Sequence, residues 1–119
     1  MTEAAVERLA RNEALFREVN ERIRNVATGD DGDRYDFVCE CANAGCAQRI
    51  SLTLAEYERV RANAVKFLLA AGHETPEVEH VVERDDDHLV VAKSGAAAEV
   101  ARELDPRAGG PARGARVPE

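Results

Sequence analysis

Apolar side chains recur along residues 3–27 at helical spacing. Leu9, Phe16, Val19, Ile23 and Val26 fall at steps of three, four and seven, and Val6 and Leu15 widen the stripe. Glu and Arg alternate on the other face and can pair one turn apart. The pattern predicts one long amphipathic helix over residues 1–28, packed through its stripe on its own domain. A helix–helix interface with a partner or a second copy is the sharper alternative, with Asn12, inside the stripe, fixing register. Thr28-Gly29-Asp30-Asp31-Gly32-Asp33 then stops the helix and makes a solvated acidic loop. It is no calcium loop, because no Glu stands at the twelfth position.

Beyond the loop the pattern shortens. Tyr35 to Cys39 reads as a strand, Ala42 to Gly45 as a turn, and Gln48 to Leu52 as a second strand. Thr53-Leu54-Ala55-Glu56 is a capping box that starts a helix running to about Asn63. Val65 to Leu69 is a third strand, and Ala71 to Pro76 a loop. Val78 to Arg84 and His88 to Lys93 form a hairpin around Asp85-Asp86-Asp87. A short helix from Ala96 to Leu104 ends at Asp105-Pro106, and residues 107–119 have the Gly/Pro/Arg composition of a disordered tail. These elements predict an α+β fold. A long N-terminal helix leads into an α+β domain over residues 29–106, with a small mainly antiparallel sheet, a knuckle that carries the three cysteines, a central helix and a C-terminal helix.

Composition narrows the function. The chain has 119 residues, of which 45% are hydrophobic, but no Trp, two Tyr and three Phe, so the core must be aliphatic. A domain of this size buries only about two-thirds of its unfolded surface, which makes a metal cross-link useful. The net charge is -7. That field repels phosphate backbones and argues against nucleic-acid partners. Setting aside the last thirteen residues, with three Arg and one Glu, leaves 13 basic and 22 acidic side chains. No apolar run approaches the ~18 residues of a membrane helix. The start, Met1-Thr2-Glu3-Ala4, has no basic region leading into an apolar one, so a cytoplasmic location is expected.

The chemistry lies in the cysteines. All three fall in Cys39-Glu40-Cys41-Ala42-Asn43-Ala44-Gly45-Cys46, a C-x-C-x4-C pattern. An odd number argues against a disulfide framework, and the cytosol keeps thiols reduced. Three thiolates on a turn point to zinc, which takes Cys and His at four tetrahedral corners. His73, in the adjustable loop between Gly72 and Pro76, is the fourth ligand expected, whereas His80 and His88 sit in strands with apolar neighbours. Glu40 or Glu74 could support the site, or replace His73 in it. Ligation by Cys39, Cys41, Cys46 and His73 would close a ring of about thirty residues and convert binding energy into folding energy, a structural role. An iron–sulfur cluster usually needs four thiolates. A redox switch is the stronger rival, since zinc thiolates can oxidise and release the metal. No zincin or deaminase motif, Gly-rich phosphate loop or nucleophile elbow is present.

The run from Arg11 to Ile23, Phe37-Val38-Cys39-Glu40-Cys41, Cys46, Leu52-Thr53-Leu54-Ala55-Glu56-Tyr57 and Gly72-His73-Glu74 together resemble a family of small uncharacterised bacterial proteins, mostly of actinobacterial type. The resemblance covers about residues 10–106. It implies a metal site at the three cysteines and the Gly-His-Glu loop, and it implies no activity. The function expected is a non-enzymatic, zinc-stabilised protein-interaction module with a regulatory partner. The partner would dock on the N-terminal helix or an acidic face, and a homo-oligomer is compatible with the same stripe. A thiol-based redox or zinc sensor is the alternative, and a small metal-dependent hydrolase comes third.

Overall fold

The computed structural model describes residues 2–30 and 32–107. The tail expected after residue 107 lies outside them, as do Met1 and Asp31. Helix α1 spans Glu3–Val26, and the Thr2 hydroxyl accepts from the Ala5 N–H to cap it. Strands β1 (Arg34–Val38) and β2 (Arg49–Thr53) pair antiparallel, with Phe37 opposite Ile50. The predicted capping box is formed at the start of α2 (Leu54–Arg61): Thr53 Oγ1 accepts from Glu56 N–H, and Glu56 Oε1 accepts from Thr53 N–H.

Strands β3 (Lys66–Ala70), β4 (Glu79–Arg84) and β5 (His88–Lys93) make a second antiparallel sheet in the order β3-β5-β4. Helix α3 (Gly95–Glu103) closes the chain's regular structure. The α+β class is therefore as the pattern predicts, but the strands divide into two sheets. β5 is the central strand of its sheet, and its Leu89, Val90 and Val91 are all buried. A register shift between Val81 and Glu83 bulges β4, and Val82 turns outward.

The core joins both sheets. Phe37 and Tyr57 stack with ring centroids 4.4 Å apart. Around them lie Ile50, Leu52, Phe67, Leu68, Leu69, Leu89, Val91 and Ala101, with Cys39 and Cys41 in the same cluster. Removing that apolar surface from water is the main force holding the two sheets together.

Helix α1 is buried differently from the expectation. Its fully buried side chains are Ala10, Glu13, Arg17 and Asn20, while Leu15, Val19 and Val26 of the apolar stripe are exposed. The rest of the stripe is only partly covered, with Ile23 against the core and Val6, Leu9 and Phe16 half-buried. The reason is specific polar pairing. Arg17 donates to the carbonyls of Ala64 and Lys66, and its guanidinium lies 3.7 Å over the Phe67 ring. Asn20 donates to the Val38 carbonyl and accepts from the Val38 N–H. Glu13 and Glu79 both hold Lys93. Asn12 is no register device between helices here: it donates to the Ala42 carbonyl of its own chain.

Arg107, assigned to the tail by composition, is tied down by Glu21 and Glu58. Among the described residues no helix is long and apolar enough to cross a membrane.

Candidate metal centre

The ladder of the β1–β2 sheet runs one residue past β1, with Cys39 N–H donating to the Gln48 carbonyl at 3.0 Å. The chain stays extended through Glu40, whose N–H donates to the Leu68 carbonyl of β3 at 2.7 Å. In an extended segment alternate side chains share a face. C-x-C therefore puts Cys39 and Cys41 on one side and Glu40 on the other. A tight turn follows: Cys46 N–H donates to the Asn43 carbonyl, and Gly45 N–H to Asn43 Oδ1. It returns Cys46 toward the first two thiols.

The second arm comes from the end of β3. His73 N–H donates to the Ala70 carbonyl, closing a turn in which Gly72 has φ 87°. That left-handed conformation suits glycine and strains other residues. It directs His73 back over the cysteines. His73 Nδ1 lies 3.6 Å from Cys39 Sγ and 3.6 Å from Cys46 Sγ. One donor atom from each of Cys39, Cys41, Cys46 and His73 falls within 4.8 Å of all the others. Such a cluster could hold a metal ion.

The local electrostatics suit a cation. Cys39 and Cys41 are buried, Cys46 is half-buried, and none is in a disulfide. Burial pushes the Cys39 thiol up, and the neighbouring Cys41 and Cys46 push it further, while the Ala70 N–H, 3.1 Å from its sulfur, acts the other way. Cys41 is also raised, chiefly by burial. Crowded thiols resist ionising together, and a bound dication reverses that balance by supplying opposite charge at the centre. The backbone donor to the Cys39 sulfur thus comes from β3.

The other candidates are elsewhere. His80 is exposed on β4, and His88 Nδ1 faces Asp87 Oδ1 at 3.1 Å. Glu74 is half-buried, and it is not one of the four clustered residues. Glu40 points into the interior. Its Oε2 accepts from Tyr57 Oη at 2.9 Å and Asn20 Nδ2 at 2.8 Å, and its Oε1 from Leu68 N–H at 3.0 Å. Three donors and no exposure make it a structural hub joining α1, α2 and β3 behind the cysteines. Burial, with Glu40 beside it, pushes the Tyr57 hydroxyl far up, so it stays protonated and donates.

The sequence reading missed this hub and the Glu13–Lys93–Glu79 cluster. A signal for both existed, because Glu13, Arg17 and Asn20 extend the Ala10 row at helical spacing. The open side of the centre is a cleft of about 400 Å³ lined by Leu9, Cys41, Asn43, Gly72, His73 and Thr75.

Compared with family models, curated proteins and solved structures, the chain matches none. The family resemblance rests on its motif residues alone.

Proposed function

We propose that this protein is a non-enzymatic protein-interaction module built around one structural zinc ion. The observation that carries the reading is the spacing of the donor set. Zinc bonds of ~2.3 Å to sulfur and ~2.05 Å to nitrogen imply a sulfur–nitrogen edge of ~3.55 Å in a regular tetrahedron. His73 Nδ1 stands 3.6 Å from two sulfurs at once. Three thiolates and an imidazole fill all four positions and match the donor preference of structural zinc. A catalytic zinc would need a vacant position and a base beside it. The nearest carboxylate in the motif, Glu40, is fully engaged by three donors on the far side.

The partner we envisage is a protein, docking on the outer face of α1, where Leu15 is 58% and Val26 75% exposed, or on the acidic Glu83–Asp87 turn. A second copy of the chain is one form such a partner can take. The net charge of -7 disfavours nucleic acid in this reading. Three metal-binding thiols fit the reducing cytoplasm.

A thiol sensor is the second reading, favoured by one feature. Cys41 and His73 line a cleft open to solvent, and Cys46 is half-exposed, which gives a peroxide a route to the sulfurs. Native mass spectrometry separates the readings. A module carries one zinc per chain and retains it under mild peroxide, whereas a sensor releases it and changes oligomeric state. Failure of the purified protein to take up zinc would refute both.

A further inference from the structure

The first half of α1 runs beside α3, and its hydrogen bond from Asn12 and ion pair from Glu13 reach both arms of the metal centre. Among residues 3–16 only Ala10 and Glu13 are fully buried. Asn12 Nδ2 donates to the Ala42 carbonyl at 2.8 Å, and Ala42 directly follows Cys41. Glu13 grips Lys93, which also grips Glu79. Glu79 Oε2 in turn accepts from the Thr75 N–H at 2.6 Å, two residues beyond His73. Leu9 forms a wall of the cleft beside Cys41 and His73. One helix thus spans the loop that carries Cys41 and Cys46 and the loop that carries His73.

The second half is fastened mainly to the sheets, with one bond, Asn20 to Glu40, reaching the segment between the first two cysteines. Arg17 bonds to Ala64 and Lys66 and stacks on Phe67, and Asn20 bonds to Val38 and Glu40. The first turns face the opposite bias. They border a cleft of about 480 Å³ against α3, where Glu3 and Glu7 on one side meet Glu99 and Glu103 on the other. Arg11 partly neutralises Glu7 at 3.3 Å, but Glu3 still faces Glu99 and Glu103 across that cleft, and that like-charge arrangement favours opening. Polar anchors also depend on geometry more sharply than apolar burial does, so displacing their acceptors weakens them.

We propose that residues 3–16 form a strap whose docking is set by metal occupancy. With the centre loaded, the two loops are cross-linked and the strap lies across them. When the metal leaves, Ala42 and Thr75 lose their fixed separation, and the strap lifts about a pivot at Arg17. The core of β3, β5, α2 and α3 stays folded, because Phe67, Leu68, Leu69, Leu89 and Val91 come from strands outside the two loops and most of the cluster they share with Cys39 and Cys41 is made of sheet residues. The proposal rests on the metal reading above and gives that site a regulatory output, a helix half that is presented or withheld.

Hydrogen–deuterium exchange on the full chain tests it, with native mass spectrometry alongside to report zinc. The probes are zinc alone and a chelator. We expect protection of residues 3–16 to fall about tenfold or more on chelation, with β3 and β5 unchanged. Asn12→Ala, loaded with zinc, is expected to speed exchange in the same segment while keeping one zinc per chain. Zinc that is bound and then removed with no change in residues 3–16 overturns the strap and leaves the metal reading standing. Loss of protection everywhere at once overturns it as well, because the core would then depend on the metal. No zinc uptake by wild type removes the metal reading and the strap together.

Discussion

Replacing Glu13 with Gln should remove a pH dependence that wild type carries. Glu13 is 4% exposed and shares the Lys93 ammonium with Glu79, so two carboxylates face one cation in a dry site. Burial raises Glu13 from 4.5 to about 7; Lys93 opposes this, and Glu79 adds to it. Desolvation wins because the single ammonium is divided between two acids. The folded state therefore holds a proton that the unfolded chain has released between pH 4.5 and 7. The sign follows: the contribution is fully present below pH 4.5 and is lost as pH rises through about 7. The two values correspond to about 3 kcal/mol. Glutamine imitates the protonated acid and does not titrate. Urea denaturation of both proteins with saturating zinc, at pH 5, 6, 7 and 8, reads the difference directly. Wild type should lose about 2–3 kcal/mol relative to Glu13→Gln between pH 5 and 8, the remainder having gone below pH 5. A constant gap between the two across that range would show that the cluster does not hold the proton and that the burial argument is wrong.

Three further outcomes are expected. His73→Ala should lose zinc to a chelator that leaves wild type loaded, as read by native mass spectrometry; equal retention would remove His73 from the centre. Tyr57→Phe leaves Glu40 Oε2 with Asn20 alone and should cost about 1–2 kcal/mol in urea denaturation, with unchanged stability counting against the hub. Gly72→Ala meets no atom within 4 Å of the added carbon, so its cost is the left-handed backbone, about 1–2 kcal/mol, accompanied by weaker zinc binding. A Gly72→Ala protein that melts and binds zinc as wild type does would show that the turn adapts freely.

Much of the architecture was legible because each signal was local. The capping box at Thr53 and Glu56, the strand alternation that puts Cys39 and Cys41 on one face, and the Gly72 turn all act within a few residues. The gathering of the three cysteines with His73 was legible too, since only a loop histidine could be aimed freely. The buried face of α1 was not. Hydrophobic periodicity ranks Leu15, Val19 and Val26 as core positions, but a polar side chain can take the inside when a distant partner awaits it. Arg17 meets the Ala64 and Lys66 carbonyls, and Glu13 meets Lys93 eighty residues on. The helical spacing of Ala10, Glu13, Arg17 and Asn20 marks the face, but nothing in it names the distant partner. The division of the strands into two sheets is equally non-local, because the backbone bond from Glu40 to Leu68, which ties the end of the first sheet to β3, joins residues far apart in the chain.

The Asn20 amide has a consequence for how this protein behaves in a crowded solution. A two-stranded ribbon exposes an unsatisfied backbone row along each outer side, which invites another chain to add a strand. At Val38 both the N–H and the carbonyl are already taken by one side chain from α1. The asparagine occupies the place an intruding strand would need, just before the cysteine loop begins. By filling those two bonds it would block a strand from zippering onto the ribbon there, and it lies beyond Arg17, outside the proposed strap.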